Sequence, residues 1–182
     1  TKEYFHDFGG SILSQDTVPG INWLMEQYFL SISECDMDTF LHLFTSGDTS
    51  EEERYRQEFE KQKQYIESYQ NISCYTTPGL EENTYAAYVY YEIKYAGVET
   101  PAPSLVQVYA VGADDGTYKI YDQQVSPELS DYLEQLSRNE DVRLLISQVD
   151  QQIEEAMAAD PALNERILYM KQGPDYMHEE DN

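Results

Sequence analysis

Thr84-Tyr85-Ala86-Ala87-Tyr88-Val89-Tyr90-Tyr91-Glu92-Ile93-Lys94-Tyr95 is the stretch that decides the fold of this chain. β-Branched and aromatic residues crowd it, the composition that suits a pleated, half-buried surface. Ser104 to Val111 alternates in the same style. Asp115-Gly116 sits where a tight hairpin turn reverses the chain into Thr117-Tyr118-Lys119-Ile120-Tyr121. A first strand is predicted over residues 71–77, closed by Pro78-Gly79, and residues 97–104, with Pro101 and Pro103, read as a connecting loop. Helical periodicity dominates elsewhere. Helices, then an antiparallel sheet, then helices is the order of an α+β fold.

Working outward, a first helix is predicted to start near Thr17, with Pro19 at a tolerated early position. Ile21, Leu24, Met25, Tyr28, Phe29 and Ile32 fall on one of its faces. Asp36 is a natural N-cap for a short helix carrying Met37, Phe40, Leu41 and Phe44. Ser50-Glu51-Glu52-Glu53 reads as a capping box, and its helix is predicted to reach about Tyr69 along a stripe of Tyr55, Phe59, Gln62 and Ile66. Downstream, Ser126-Pro127 opens a helix with Leu129, Leu133 and Leu136. A longer helix carries Val142, Leu145, Val149 and Ile153, and Asp160-Pro161 caps a last one. This divides the chain into a lead-in segment (1–17), an α+β domain (18–122), a helical extension packed on it (123–170) and an acidic tail expected to be disordered (171–182).

Charge bounds the partners. The 182 residues hold 35 acidic and 11 basic side chains, a formal net charge of -24. Nucleic-acid backbones and anionic membranes repel such a surface, so neither is an expected partner; a solvated acidic face accounts for the charge without any partner. No stretch reaches the ~20 apolar residues of a membrane-spanning helix. The sequence opens on Thr1 rather than Met, and we expect the residues before it to carry an anchor or signal. Cys35 and Cys74 could bridge in an oxidising compartment; the alternative is two separate thiols, at least one of them buried as a small hydrophobe. Asn71-Ile72-Ser73 matches a glycosylation triplet, a pattern common by chance.

An amphipathic helix, a tight turn, the phrase Asp36-Met37-Asp38-Thr39-Phe40-Leu41-His42-Leu43-Phe44, a longer helix and long antiparallel strands together resemble the nuclear-transport-factor-2-like superfamily. The resemblance covers roughly Val18 to Asp122. It implies N-terminal helices packed on a curved antiparallel sheet, a cystatin- or cone-like arrangement, with the C-terminal helices as additions. Those additions resemble the tails of surface proteins from anaerobic Gram-positive bacteria, which implies an extracellular, cell-surface-tethered protein with its anchor before Thr1. Members of the superfamily divide into enzymes that place an ionisable residue inside the cone and binding, dimerisation or spacer domains whose cone is filled. Fold alone does not choose between these uses.

Alternation separates Tyr85, Ala87, Val89, Tyr91, Ile93 and Tyr95 from Tyr88, Tyr90, Glu92 and Lys94. The first set is expected to face the N-terminal helices. There Tyr91 and Tyr109, with Trp23 and Tyr28, are candidates to line an amphipathic ligand pocket, against the alternative that they simply pack as core. On the second face, Tyr88 and Tyr90 point either to a homodimer through the sheet face or to cover by the C-terminal helices. Glu92 beside Lys94 is expected to be a surface ion-pair partner. His6, His42 and His178 lack metal-ligand spacing, and Asp36 with Asp38 and Asp114 with Asp115 suit caps and turns better than a calcium loop. No metal, cofactor or catalytic residue is assigned. The expected function is a non-catalytic extracytoplasmic binding or protein-interaction module for a small hydrophobic ligand or a protein partner. A small-molecule enzyme or ligand carrier, and a structural spacer of a cell-envelope protein, are the alternatives.

Overall fold

The computed structural model describes residues 12–172, so the early lead-in residues, His6, His178 and most of the expected acidic tail lie outside the described residues. The fold is α+β: a five-stranded antiparallel sheet with helices on both faces. Its elements are β1 (Ser14–Gln15), α1 (Pro19–Glu34), α2 (Met37–His42), α3 (Glu52–Lys63), β2 (Ile66–Pro78), β3 (Thr84–Tyr95), β4 (Ala102–Gly112), β5 (Tyr118–Ile120), α4 (Pro127–Arg138), α5 (Glu140–Ala159) and α6 (Pro161–Gln172). Strand order follows chain order, so every sheet connection joins neighbours. β3 occupies the expected residues and sits at the centre. Among the described residues, no helix is long and apolar enough to cross a membrane.

Local chemistry sets the helix ends. Pro19 opens α1, and Cys35 closes it in a left-handed conformation with φ 53°. The Asp36 carboxylate accepts from the Thr39 N–H at 3.2 Å and from the Thr39 hydroxyl at 2.7 Å, which starts α2 as predicted. Ser126 and Asn139 cap α4 and α5 in the same way. α3 departs from expectation. It stops at Lys63, and its approach is organised by the Asp48 carboxylate, which accepts from the Ser50 N–H and hydroxyl. Residues 66–69, expected as the end of that helix, belong to β2, where Ile66 pairs with Tyr95 and Tyr69 with Ile93. Ile and Tyr suit both structures locally, and pairing with β3 outweighs a helical stripe.

Three further corrections concern the sheet. Part of the lead-in is structured: Ser14 pairs with Thr76 as β1. Beside it Asp16, at φ 54°, accepts from Cys74 N–H (2.8 Å), the Ser73 hydroxyl (2.9 Å) and the Asn22 amide (2.8 Å). β4 begins at Ala102, inside the expected loop. Glu92 is not a surface ion-pair partner. It is buried, and Lys94 instead reaches Glu67 at 3.3 Å.

The two sheet faces carry separate cores. Ile21, Leu24, Met25 and Phe29 of α1 pack with Cys74, Ala87, Val89 and Ala110. Phe40 and Leu41 of α2 join Ile32 and Phe59 beside them. On the opposite face, Val142, Leu145 and Val149 of α5 cover Tyr75, Tyr88 and Tyr90. Intramolecular cover therefore accounts for the tyrosines that had raised a homodimer. Tyr95 and Ile93, expected under the N-terminal helices, pack with Leu163 and Ile167 of α6. Cys35 and Cys74 are separate thiols, Cys74 within the α1 core.

Candidate functional site

The α1, α2 and α3 face of the sheet is not filled completely. A cleft of about 250 Å³ remains among Tyr28, Phe29 and Ile32 of α1, Phe40 of α2, Tyr55, Glu58, Phe59 and Gln62 of α3, Tyr69 of β2, Tyr91 of β3 and Val106 of β4. Helical spacing places its walls. Tyr28 and Ile32 lie one turn apart on α1, as do Tyr55 and Phe59 on α3, so each helix offers a short apolar edge. The Asp36 cap fixes where α2 begins and hence where Phe40 projects.

Ring contacts hold these walls in place. Phe29 lies against Tyr91 with centroids 4.4 Å apart and against Tyr69 at 5.1 Å. Phe40 meets Phe59 edge-on at 4.9 Å and Tyr28 at 5.6 Å. Such pairs add about 0.5–1.5 kcal/mol each beyond area burial, so the walls are firm.

The polarity of the cleft comes from phenols. Burial raises the pKa of Tyr28, helped by neighbouring Tyr91, Tyr55 and Glu58. Tyr69 is raised further by burial, then by Tyr91, Tyr28 and Tyr95. Tyr91 is raised by burial and partly offset by its hydrogen bond with Ser104. All three are neutral hydroxyls at physiological pH, able to donate or accept. Glu58 stands at the rim with its side chain 51% exposed, near Arg54 of the same helix. This arrangement can hold a flat apolar body and hydrogen-bond its polar edge.

Of the four residues predicted to line a pocket, the structure brings two together. Tyr28 and Tyr91 face the cleft. Trp23 does not: it is 53% exposed on the outer side of α1. Tyr109 does not either. The pairing of Tyr91 with Ser104 puts Ser104, Val106 and Val108 on the Tyr91 face, so Tyr109 points to the other side. There its hydroxyl donates to Thr84 at 3.0 Å and accepts from Leu80 N–H at 3.0 Å, bracing the β2–β3 turn. Tyr69 and Phe40 were missed as cleft residues. Phe40 was legible as an apolar position of α2, whereas Tyr69 was hidden by its assignment to a helix.

On the far face, the buried Glu92 carboxylate accepts from the Tyr90 hydroxyl at 2.5 Å and from the Asn71 amide at 2.7 Å. Asn71 adopts φ 54° where the β2 register shifts, which turns its side chain toward β3. With Tyr90 packed under α5, this group acts as a structural clasp between β2 and β3. His42 is exposed, its Nδ1 2.6 Å from the Asp38 carbonyl. In comparisons with protein-family models, curated proteins and solved structures, nothing matches this chain.

Proposed function

We propose that this protein is a non-catalytic binding module of the nuclear-transport-factor-2-like kind, with the cleft of α1, α2 and α3 as a site for a small, flat, hydrophobic ligand carrying a hydrogen-bonding edge. The observation that carries this reading is the convergence of the Tyr28, Tyr69 and Tyr91 phenols on an aromatic-walled space of about 250 Å³. Helices packed on one face of an antiparallel sheet, with the cleft between them, support the cone-like architecture. The buried polar groups of the cleft are neutral phenols, poor general bases near pH 7, and its one carboxylate, Glu58, stands half-exposed at the rim; both support binding rather than catalysis. The placement outside the cytoplasm rests on the resemblance of the C-terminal helices to those of surface proteins. Fractionation that finds the protein in the soluble cytoplasm overturns that placement.

Naphthol and its unhydroxylated analogue naphthalene are suitable probes, followed through the ring resonances of the cleft tyrosines, since Trp23 does not line the cleft. Naphthol should shift the Tyr28, Tyr69 and Tyr91 signals and bind more tightly than naphthalene. The Tyr28→Phe/Tyr69→Phe variant should weaken it roughly 5- to 150-fold, from about 0.5–1.5 kcal/mol per lost hydrogen bond. Gln62→Trp at the mouth should block entry without touching the core. Naphthol binding that survives both changes would refute the assignment of the cleft.

A further inference from the structure

A second surface lies along β4 and meets the cleft at Tyr91. β5 pairs only with Ala110, Val111 and Gly112, so among the described residues no strand covers the outer edge of β4 before that point. The phase of that edge can be read. Tyr121 N–H donates to the Tyr109 carbonyl at 2.8 Å, so Tyr109 turns its backbone groups outward. Backbone groups of successive residues point to opposite edges, and the β3–β4 register runs without a shift from Thr84↔Val111 to Ile93↔Ala102. Gln107, Leu105 and Pro103 therefore direct their backbone outward as well. Leu105 and Gln107 present N–H donors and carbonyl acceptors there; Pro103 presents a carbonyl alone and blunts one end.

α5 stands beside this edge and turns it into a groove. One stretch, of about 520 Å³, runs between Leu105, Gln107 and the α5 residues Ile146, Asp150 and Ile153. It continues past Met157 and Met170 in a stretch of about 590 Å³, with Lys171 at its far end. Asp150 and Glu154, one helical turn apart, carry the charge of the α5 wall, and neither forms an ion pair among the described residues. The wall is thus apolar with a carboxylate rim, on a chain of net charge -24.

We propose that the β4 edge takes an extended, basic segment of a partner polypeptide as an added strand, with Lys or Arg at alternate positions. Main-chain bonds to Leu105 and Gln107 supply the pairing, as in other strand additions. Every second side chain of the added strand faces α5, where a long basic residue lays its stem on Ile146 or Ile153 and brings its head to Asp150 or Glu154. The overall field draws such a segment in and repels acidic ones.

The test uses a fluorescein-labelled Lys-Val-Lys-Val-Lys-Val-Lys peptide and two versions N-methylated on one or the other set of alternate nitrogens, all of equal charge. Binding is read by anisotropy, and amide exchange at Leu105 and Gln107 by NMR. The unmodified peptide should bind and slow exchange at both amides. One methylated version should lose binding by about tenfold or more and the other should keep it, since only one set of nitrogens faces β4. Asp150→Lys/Glu154→Lys should weaken the unmodified peptide to a similar degree. Equal binding of all three peptides, or unchanged exchange at Leu105 and Gln107, would reduce the interaction to charge alone and overturn the proposal. Protection of those amides in the peptide-free protein that grows with concentration would overturn it too, by assigning the edge to a second copy of the chain.

Discussion

Glu92→Leu tests the clasp between β2 and β3. The substitution keeps side-chain bulk near its native value and removes the acceptor used by both Tyr90 and Asn71. Tyr90 is 1% exposed, so the hydrogen bond its hydroxyl makes to Glu92 is sheltered from water. A hydrogen bond to a charged group contributes about 1.5–3 kcal/mol in that setting. Asn71 lies at the surface and can turn its amide to water, which limits its share to about 0.5–1 kcal/mol. The sum is a loss of about 2–4 kcal/mol. For a chain of this size, about 2–4 °C per kcal/mol converts this to a fall in melting temperature of roughly 4–16 °C. Thermal melts at neutral pH, followed in parallel by near- and far-ultraviolet circular dichroism, measure it. Glu92→Gln retains an oxygen acceptor and should lose no more than about half as much. A Glu92→Leu protein within about 0.5 kcal/mol of the native one would refute the reasoning, because it would place the carboxylate in water beside Lys94.

Two further outcomes follow from side chains buried on the two sheet faces. Leu145→Ala, at a fully buried position of α5 packed with the β2 and β3 tyrosines, should cost about 2–5 kcal/mol and leave one cooperative transition. A separate early melt of helical signal would show instead that α5 is not part of the sheet core. At alkaline pH the buried phenols set the sign: Tyr28, Tyr69, Tyr91 and Tyr95 are raised by burial, and Tyr88 is pushed up to about 12 by burial and then by Tyr132. Raised folded-state values mean a stabilisation that is complete below about pH 10 and lost as pH rises through the folded pKa. Melting temperature should therefore fall between about pH 10 and 12, with tyrosinate absorbance rising as near-ultraviolet dichroism disappears. Gradual ionisation of these tyrosines near pH 10 in an intact fold would contradict it.

Much of the fold was legible before the structure. The β3 run, the Asp36 and Ser126 caps, the Asp115-Gly116 turn and the apolar faces of α1, α2 and α5 are local signals, because caps, turns and periodicity depend on residues a few positions apart. The candidate cleft was legible only in part. Tyr28 and Tyr91 were found because both sit on faces marked as apolar, but assigning Tyr109 to the same pocket needed the β3–β4 register, which sequence spacing does not contain. Trp23 failed for a different reason: helical period already puts it opposite the Ile21, Leu24, Met25, Tyr28, Phe29 and Ile32 face of α1, and its exposure follows that local signal.

Sequence by itself determined the α+β class, the central strand, the sites of the main caps and turns, and a formal net charge of -24. Tertiary structure alone decided where α3 yields to β2, that Glu92 is inside and paired with Tyr90 and Asn71, and that α5 covers the tyrosine face while leaving the β4 edge open. Propensity and period are set within one turn or one strand. Burial, register and an open edge are set by partners that lie tens of residues away, and only packing brings them together.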